Sequence, residues 1–286
     1  MTLLGTLAFF EALQINPFLS LALIAGLVAS IASGITGSFI VVKRIVFISG
    51  SIAHSVLGGM GLFLWIKRTF YIDWITPLQG AIVAALASAL FMSWIKVKYK
   101  EREDSIIAAL WSTGMALGVI FVALTPGYNV ELMNFLFGNI LWVSTKDIMT
   151  LIALDIAVAA ITLIYYKRFQ AVCFDEDQGE LQGLSTNKIY SILLCMIALS
   201  IVLLIQVVGS ILVIAILAIP AAVASYYTNK LATMIFLSIG LAMLFTTLGT
   251  FISYEWNWPP GATISLTAAS IYAITLLIKG KTARSV

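Results

Sequence analysis

Charge is what this chain has least of. Only 10% of its 286 residues are Asp, Glu, Lys or Arg, against 61% hydrophobic, and it carries a single histidine, His54, and two cysteines, Cys173 and Cys195. A soluble domain is charged at about a quarter of its positions, which excludes a water-exposed globule of this length. The two cysteines have no metal-ligand spacing and offer no disulfide framework. The net charge of +3 comes with no dense basic surface stretch, so nothing points to a nucleic-acid partner. The opening residues MTLLGTLAFFEALQ lack lysine, arginine and a small-residue cleavage site, unlike a signal peptide. Glu11 among apolar neighbours predicts a short amphipathic segment over 1–17, lying in the membrane interface.

Long apolar runs take the place of charge. A transmembrane helix needs about 20 mostly apolar residues, and the stretches 18–42, 74–95, 105–124, 231–254 and 256–278 supply that length. Residues 189–229 are long enough for two spans, with a fold-back predicted at Gly209-Ser210. Residues 50–66 make a shorter span, and 148–166 make one interrupted by Asp155. The reading is an all-α polytopic membrane protein of about nine transmembrane helices, a single domain over 1–286. Helical runs of this length exclude an outer-membrane barrel built from alternating ten-residue strands.

Positive loops stay on the cytoplasmic side. If the loop holding Lys43 and Arg44 is inside, strict alternation over nine spans also puts inside the basic residues of 96–104, 167–188, Lys230 and the carboxyl-terminal end. That places 13 of the 16 basic residues inside, leaving outside only Lys67, Arg68 and Lys146. The amino terminus is then expected outside and the carboxyl terminus inside.

Three features bear on chemistry. His54 lies in VFISGSIAHSVLGGMGLFLWI, too deep for its imidazole to reach water along the chain, so it needs a partner within the protein. Either a hydroxyl or carbonyl satisfies it in packing, or it serves a pathway, as intramembrane ionisable groups generally do. Ser51 is its local hydroxyl companion, and Asp155 is the one acid inside a span. Gly58, Gly59 and Gly61 predict close helix packing. The stretch 167–188, KRFQAVCFDEDQGELQGLSTNK, clusters Asp175, Glu176, Asp177 and Glu180, followed by Leu181 and by Gly183, where a short helix could stop. Such a helix suits docking into a groove of a soluble partner, although a solvated loop has the same composition.

Four segments in order resemble the membrane permeases of ABC-type zinc and manganese importers. They are GSFIVVKR (37–44) ahead of the histidine and its glycine-rich helix, LFGNILWVS (136–144), FDEDQGELQGLSTNKIYSILL running on to VVGSILVIAILAIPAAVASYY, and SYEWNWPPGATISL. The likeness covers 18–278. It implies the type II ABC importer permease fold, working as a homodimer in the prokaryotic cytoplasmic membrane. The partners it implies are two ABC ATPase subunits, which bind the ATP, and an external metal-binding receptor. The segment from Asp175 to Gly183 would be the coupling helix. Pro220 would kink a span through its missing N–H and its ring. No cofactor is bound permanently; the transported ion is Zn2+ or Mn2+. Many members of the family carry an aspartate four residues before this histidine, where Gly50 stands here, and often a basic residue where Ser225 stands. His54 is then a transient ligand on the path, with Ser51 and Asp155 as further candidates. Imidazole suits zinc well and manganese acceptably.

Other classes fit less well. An intramembrane serine protease would pair Ser51 with His54 as base. An ion-coupled secondary metal transporter should show paired intramembrane acids or inverted repeats, and the chain has one such acid and no repeat. A siderophore or vitamin importer permease would share the architecture.

Overall fold

The computed structural model describes residues 9, 11–99, 103–127, 135, 138 and 143–283. Ten helices account for nearly all of them: α1 (Pro17–Val42), α2 (Val46–Phe70), α3 (Pro77–Tyr99), α4 (Glu103–Leu124), α5 (Thr145–Phe174), α6 (Glu176–Leu181), α7 (Thr186–Val208), α8 (Ser210–Ser225), α9 (Leu231–Trp256) and α10 (Pro260–Ala283). There is no strand among the described residues. Eight of these helices are long and apolar enough to cross a membrane, whereas α8 has 16 residues and is shorter. At ~1.5 Å per residue it reaches roughly 24 Å, less than the ~30 Å hydrocarbon core. Of the nine expected spans, eight are helices of spanning length and the ninth, α8, falls short of it.

Most boundaries follow from local chemistry. The run 189–229 divides at Gly209, whose φ of 81° is a conformation glycine takes without penalty. Pro220 stands inside α8, and the helix runs on past it to Ser225. Asn257 ends α9 in the left-handed region, its N–H bonding to the carbonyl of Ser253, and Pro260 opens α10 at the first helical position, where a missing N–H costs nothing. One boundary differs from expectation. Residues 167–174, read as the start of a loop, are the last two turns of α5. Its 30 residues exceed the ~20 that a bilayer requires, so the polar end projects beyond it. The ammonium of Lys43 donates to the carbonyl of Val172 at 2.7 Å and caps that end. Near the amino terminus, 11–15 are helical and Phe9 is buried, its ring edge-on to Phe251 at 5.2 Å. The LFGNILWVS segment lies mostly outside the described residues, as do Lys100 and Arg102 of the 96–104 loop.

The chain forms two compact units, each drawn from separated parts of the sequence. The first holds α1, residues 145–159 of α5, α8, α9 and α10. Within it α1 approaches α8 closely at Gly37, where a Cβ would collide with the carbonyl of Leu217, and it is bonded to α9 through Ser38 and Ser238 at 3.1 Å. The second holds α2, α3, α4, residues 160–174 of α5, α6 and most of α7. Here α2 is gripped on two sides by glycine seams. Gly59 meets Gly80 of α3 with no room for a side chain on either. Gly58 faces the carbonyl of Gly114 on α4, and a Cβ on Gly114 would lie 2.5 Å from the Cα of Ser55. Seams of small residues let helix backbones approach closely where lipid supplies no hydrophobic drive between helices. The packing expected of Gly58, Gly59 and Gly61 is thus present, with Gly80, Gly114 and Gly118 as their partners.

Candidate functional site

His54 is on the face of α2 that meets α4. Its ring stacks on the indole of Trp111 at 4.4 Å between centroids and 22° between planes. Its Nδ1 is buried without a hydrogen-bond partner. An unsatisfied nitrogen at such a place costs free energy and calls for an explanation in function. The local hydroxyls are already engaged. Ser51 donates to the carbonyl of Ile107 on α4 at 3.1 Å, while Ser55 donates to Ile52 and accepts from Ser88 at 2.8 Å. The Ser51 proton that a base would have to take is thus donated to α4.

Gly50 precedes His54 by one turn on the same face. A Cβ there would come within 2.9 Å of Cζ3 of Trp111, so the indole fills the space a side chain at 50 would need. Trp111 was not singled out by sequence reasoning. Its signal was position: tryptophan favours the ends of membrane spans, and this one is two turns inside 105–124.

Asp155 belongs to the other unit. Its Oδ1 accepts the N–H of Ala32 in α1 at 2.9 Å, and its Oδ2 is buried without a partner. It joins two helices of its own unit. No group of three or more His, Cys, Asp or Glu side chains able to hold a metal exists among the described residues.

The acidic segment is built with more division of labour than its composition suggests. Asp175 caps α6, accepting the N–H of Gln178 at 2.9 Å. The carboxylate of Glu176 bridges Lys43 at 2.5 Å and Lys96 at 2.6 Å, the latter ammonium also lying 3.9 Å over the Tyr190 ring. Burial opposes its ionisation, but the bonds and charges of the two lysines outweigh that and hold its carboxyl below the usual range. Glu180 accepts from the hydroxyl of Thr186 at 2.7 Å, and Gly183, at φ 79°, ends the turn as expected. Three of the four acids thus fold the segment. Asp177, Gln178 and Leu181 are exposed too, the last at 89%. Lys43 and Lys96 could not be paired with Glu176 from sequence, since the partners are far apart in the chain and the pairing exists only once the helix ends meet.

Long apolar helices, a lone histidine lodged between two of them and a short helix held outside them by two lysines define a multispanning membrane transport subunit. The chain belongs to the ABC 3 transport family, whose profile it matches over residues 15–279. It is 45% identical to the "Probable metal transport system membrane protein" of Chlamydia pneumoniae, over 90% of this chain and 87% of that one. It is 32% identical to the manganese import system permease protein ScaB of Streptococcus gordonii, over 96% and 95%. Among solved structures it resembles PsaBC from Streptococcus pneumoniae in complex with Fab, with a TM-score of 0.82 and 33% identity over 95% of each chain. The expected helical membrane permease and its family are therefore established.

Proposed function

We propose that this chain is the permease of an ATP-driven importer of divalent metal ions, working as a homodimer with two ATPase subunits and an external metal-binding receptor. The observation that carries this reading is the small helix α6, fixed by Glu176 to Lys43 and Lys96 with Leu181 turned outward. A six-residue helix has no independent stability, so its anchoring gives a partner's push a rigid route into the spans. The relatives named for a particular metal carry manganese, which supports Mn2+, while the imidazole of His54 supports Zn2+. The unpartnered Nδ1 supports His54 as one weak ligand on the path, since a complete cage would retain the ion. The deciding experiment is reconstitution with the cognate ATPase and receptor, with manganese, zinc and iron competing during uptake. The expected result is ATP-dependent uptake of manganese or zinc. Uptake that follows an ion gradient and ignores ATP would sink the reading.

Topology supports the same assignment. If α8 crosses despite its length, 13 of the 16 basic residues fall inside; if it does not, the division is nine against seven. The first obeys the positive-inside rule and the second does not. Reporter fusions after Val42, within 167–188 and at the carboxyl terminus should read cytoplasmic, and one within 254–260 should read external. A carboxyl-terminal fusion reading external would show that α8 does not cross.

A further inference from the structure

We propose that Trp111 is the specificity-determining cover of the His54 site, and that the absence of a side chain at Gly50 is what admits it. The inference rests on the import reading above. One ring does two things at once. It stacks on the imidazole at 4.4 Å, and it occupies the volume into which position 50 points, so a Cβ there would stand 2.9 Å from Cζ3. An isolated tryptophan could swing away from such a contact, but this one would have to abandon its stack on His54. Close by, α4 packs tightly on α2: a Cβ on Gly114, one turn further along, would lie 2.5 Å from the Cα of Ser55. A side chain at 50 and the indole at 111 therefore compete for one volume, and the indole must shift off its place on His54 to admit one.

The chemistry of the site follows. The imidazole lies against an aromatic face, and the hydroxyls nearest it in the chain, Ser51 and Ser55, are bonded to Ile107, Ile52 and Ser88. None of them carries negative charge. A divalent ion arriving here would exchange one water for the imidazole and keep most of its remaining hydration. A carboxylate one turn away would add charge and a second ligand, and so lengthen the ion's stay. The Gly50–Trp111 pair thus sets the site for fast, low-retention passage of a largely hydrated divalent cation.

Because His54 is the only histidine in the chain, its reactivity can be read site-specifically. The tag-free permease, assembled with its ATPase, is treated with diethyl pyrocarbonate, and modification of the His54 peptide is followed by mass spectrometry. Trp111→Ala should speed modification several-fold to about tenfold, the range that an aromatic stack of this kind corresponds to, with Trp111→Phe in between. Gly50→Asp should speed it too, by prising the stack open, and the double variant should gain no more than either alone. The double variant should also hold Mn2+ through gel filtration, where the wild type releases it. If Trp111→Ala and Gly50→Asp both react at the wild-type rate, Trp111 is not a cover. Should Trp111→Ala fail to assemble, the Trp111→Phe and Gly50→Asp rates decide alone. A separate outcome bears on the import reading: if neither Mn2+ nor Zn2+ slows His54 modification and the wild type shows no ATP-driven uptake, that reading fails, while the variant rates still judge the cover.

Discussion

Replacing His54 with alanine is expected to lower ATP-driven metal uptake by at least about tenfold, since loss of even an outer partner of a metal ligand costs that much. Insertion, assembly and basal ATP hydrolysis should stay near wild type, because the imidazole makes no hydrogen bond through its buried Nδ1 whose loss would strand another group. Asparagine at the same position separates the two roles a buried histidine can have. It supplies a hydrogen-bonding amide of comparable reach but a poor ligand, so it should restore little if ligation matters and much if packing does. Uptake measured in proteoliposomes with the cognate receptor decides between them. A fully active alanine variant would take His54 out of the mechanism.

The second large effect is expected at Glu176. Charge-assisted hydrogen bonds contribute about 1.5–3 kcal/mol each, and Glu176 makes one to each of two lysines. Glu176→Ala should release α6, leaving an insertion-competent permease in which hydrolysis is uncoupled from transport. Asp177→Asn should be nearly silent by comparison, and Leu181→Asp should weaken ATPase association with the helix intact. Hydrogen exchange over 175–184, combined with the ratio of metal moved to ATP consumed, distinguishes the three. If Glu176→Ala leaves both exchange and coupling unchanged, the anchor has no role in transmission. The anchor also has a pH signature. The Glu176 carboxyl titrates lower in the folded protein than in the unfolded chain, so its stabilisation is complete above the ordinary glutamate value of about 4.3. It declines as pH falls below that value and is gone once pH has passed through the depressed folded value. Protection of 175–184, taken relative to the intrinsic exchange rate at each pH, should therefore be flat from neutral pH to about 5 and fall only in stronger acid, a fall that Glu176→Gln should abolish.

The acidic segment shows how far residue types alone can carry an argument. Asp175, Glu176, Asp177 and Glu180 read as one cluster because they share a charge and a neighbourhood. Their roles differ because a cap needs only a local N–H, whereas an ion pair needs helix ends from elsewhere in the chain. Asp175 and Gly183 could be understood locally, one as a cap ahead of a helix and the other as a glycine where a left-handed φ is required. Glu176 could not. The same holds in the membrane, where Gly58 and Gly59 announced close packing but not that Gly114 and Gly80 would receive them. Asp155 was legible as a costly acid, yet its bond to the N–H of Ala32 depends on how α1 and α5 cross.

By itself the sequence determined the material and the plan: scarce charge, helical spans, a break at Gly209 and a solitary histidine. These depend on transfer of residues from water to lipid and on backbone dihedrals, both of which are local properties. Only the tertiary structure decided which atoms meet. It placed an indole where Gly50 leaves room, drew Ser51 away from His54 onto Ile107, and clasped Glu176 between Lys43 and Lys96. The physical reason is that lipid does not discriminate among apolar helix faces. Register and contact are set by the few ångströms of clearance between small residues and by polar groups that must find partners, and neither appears until the helices are side by side.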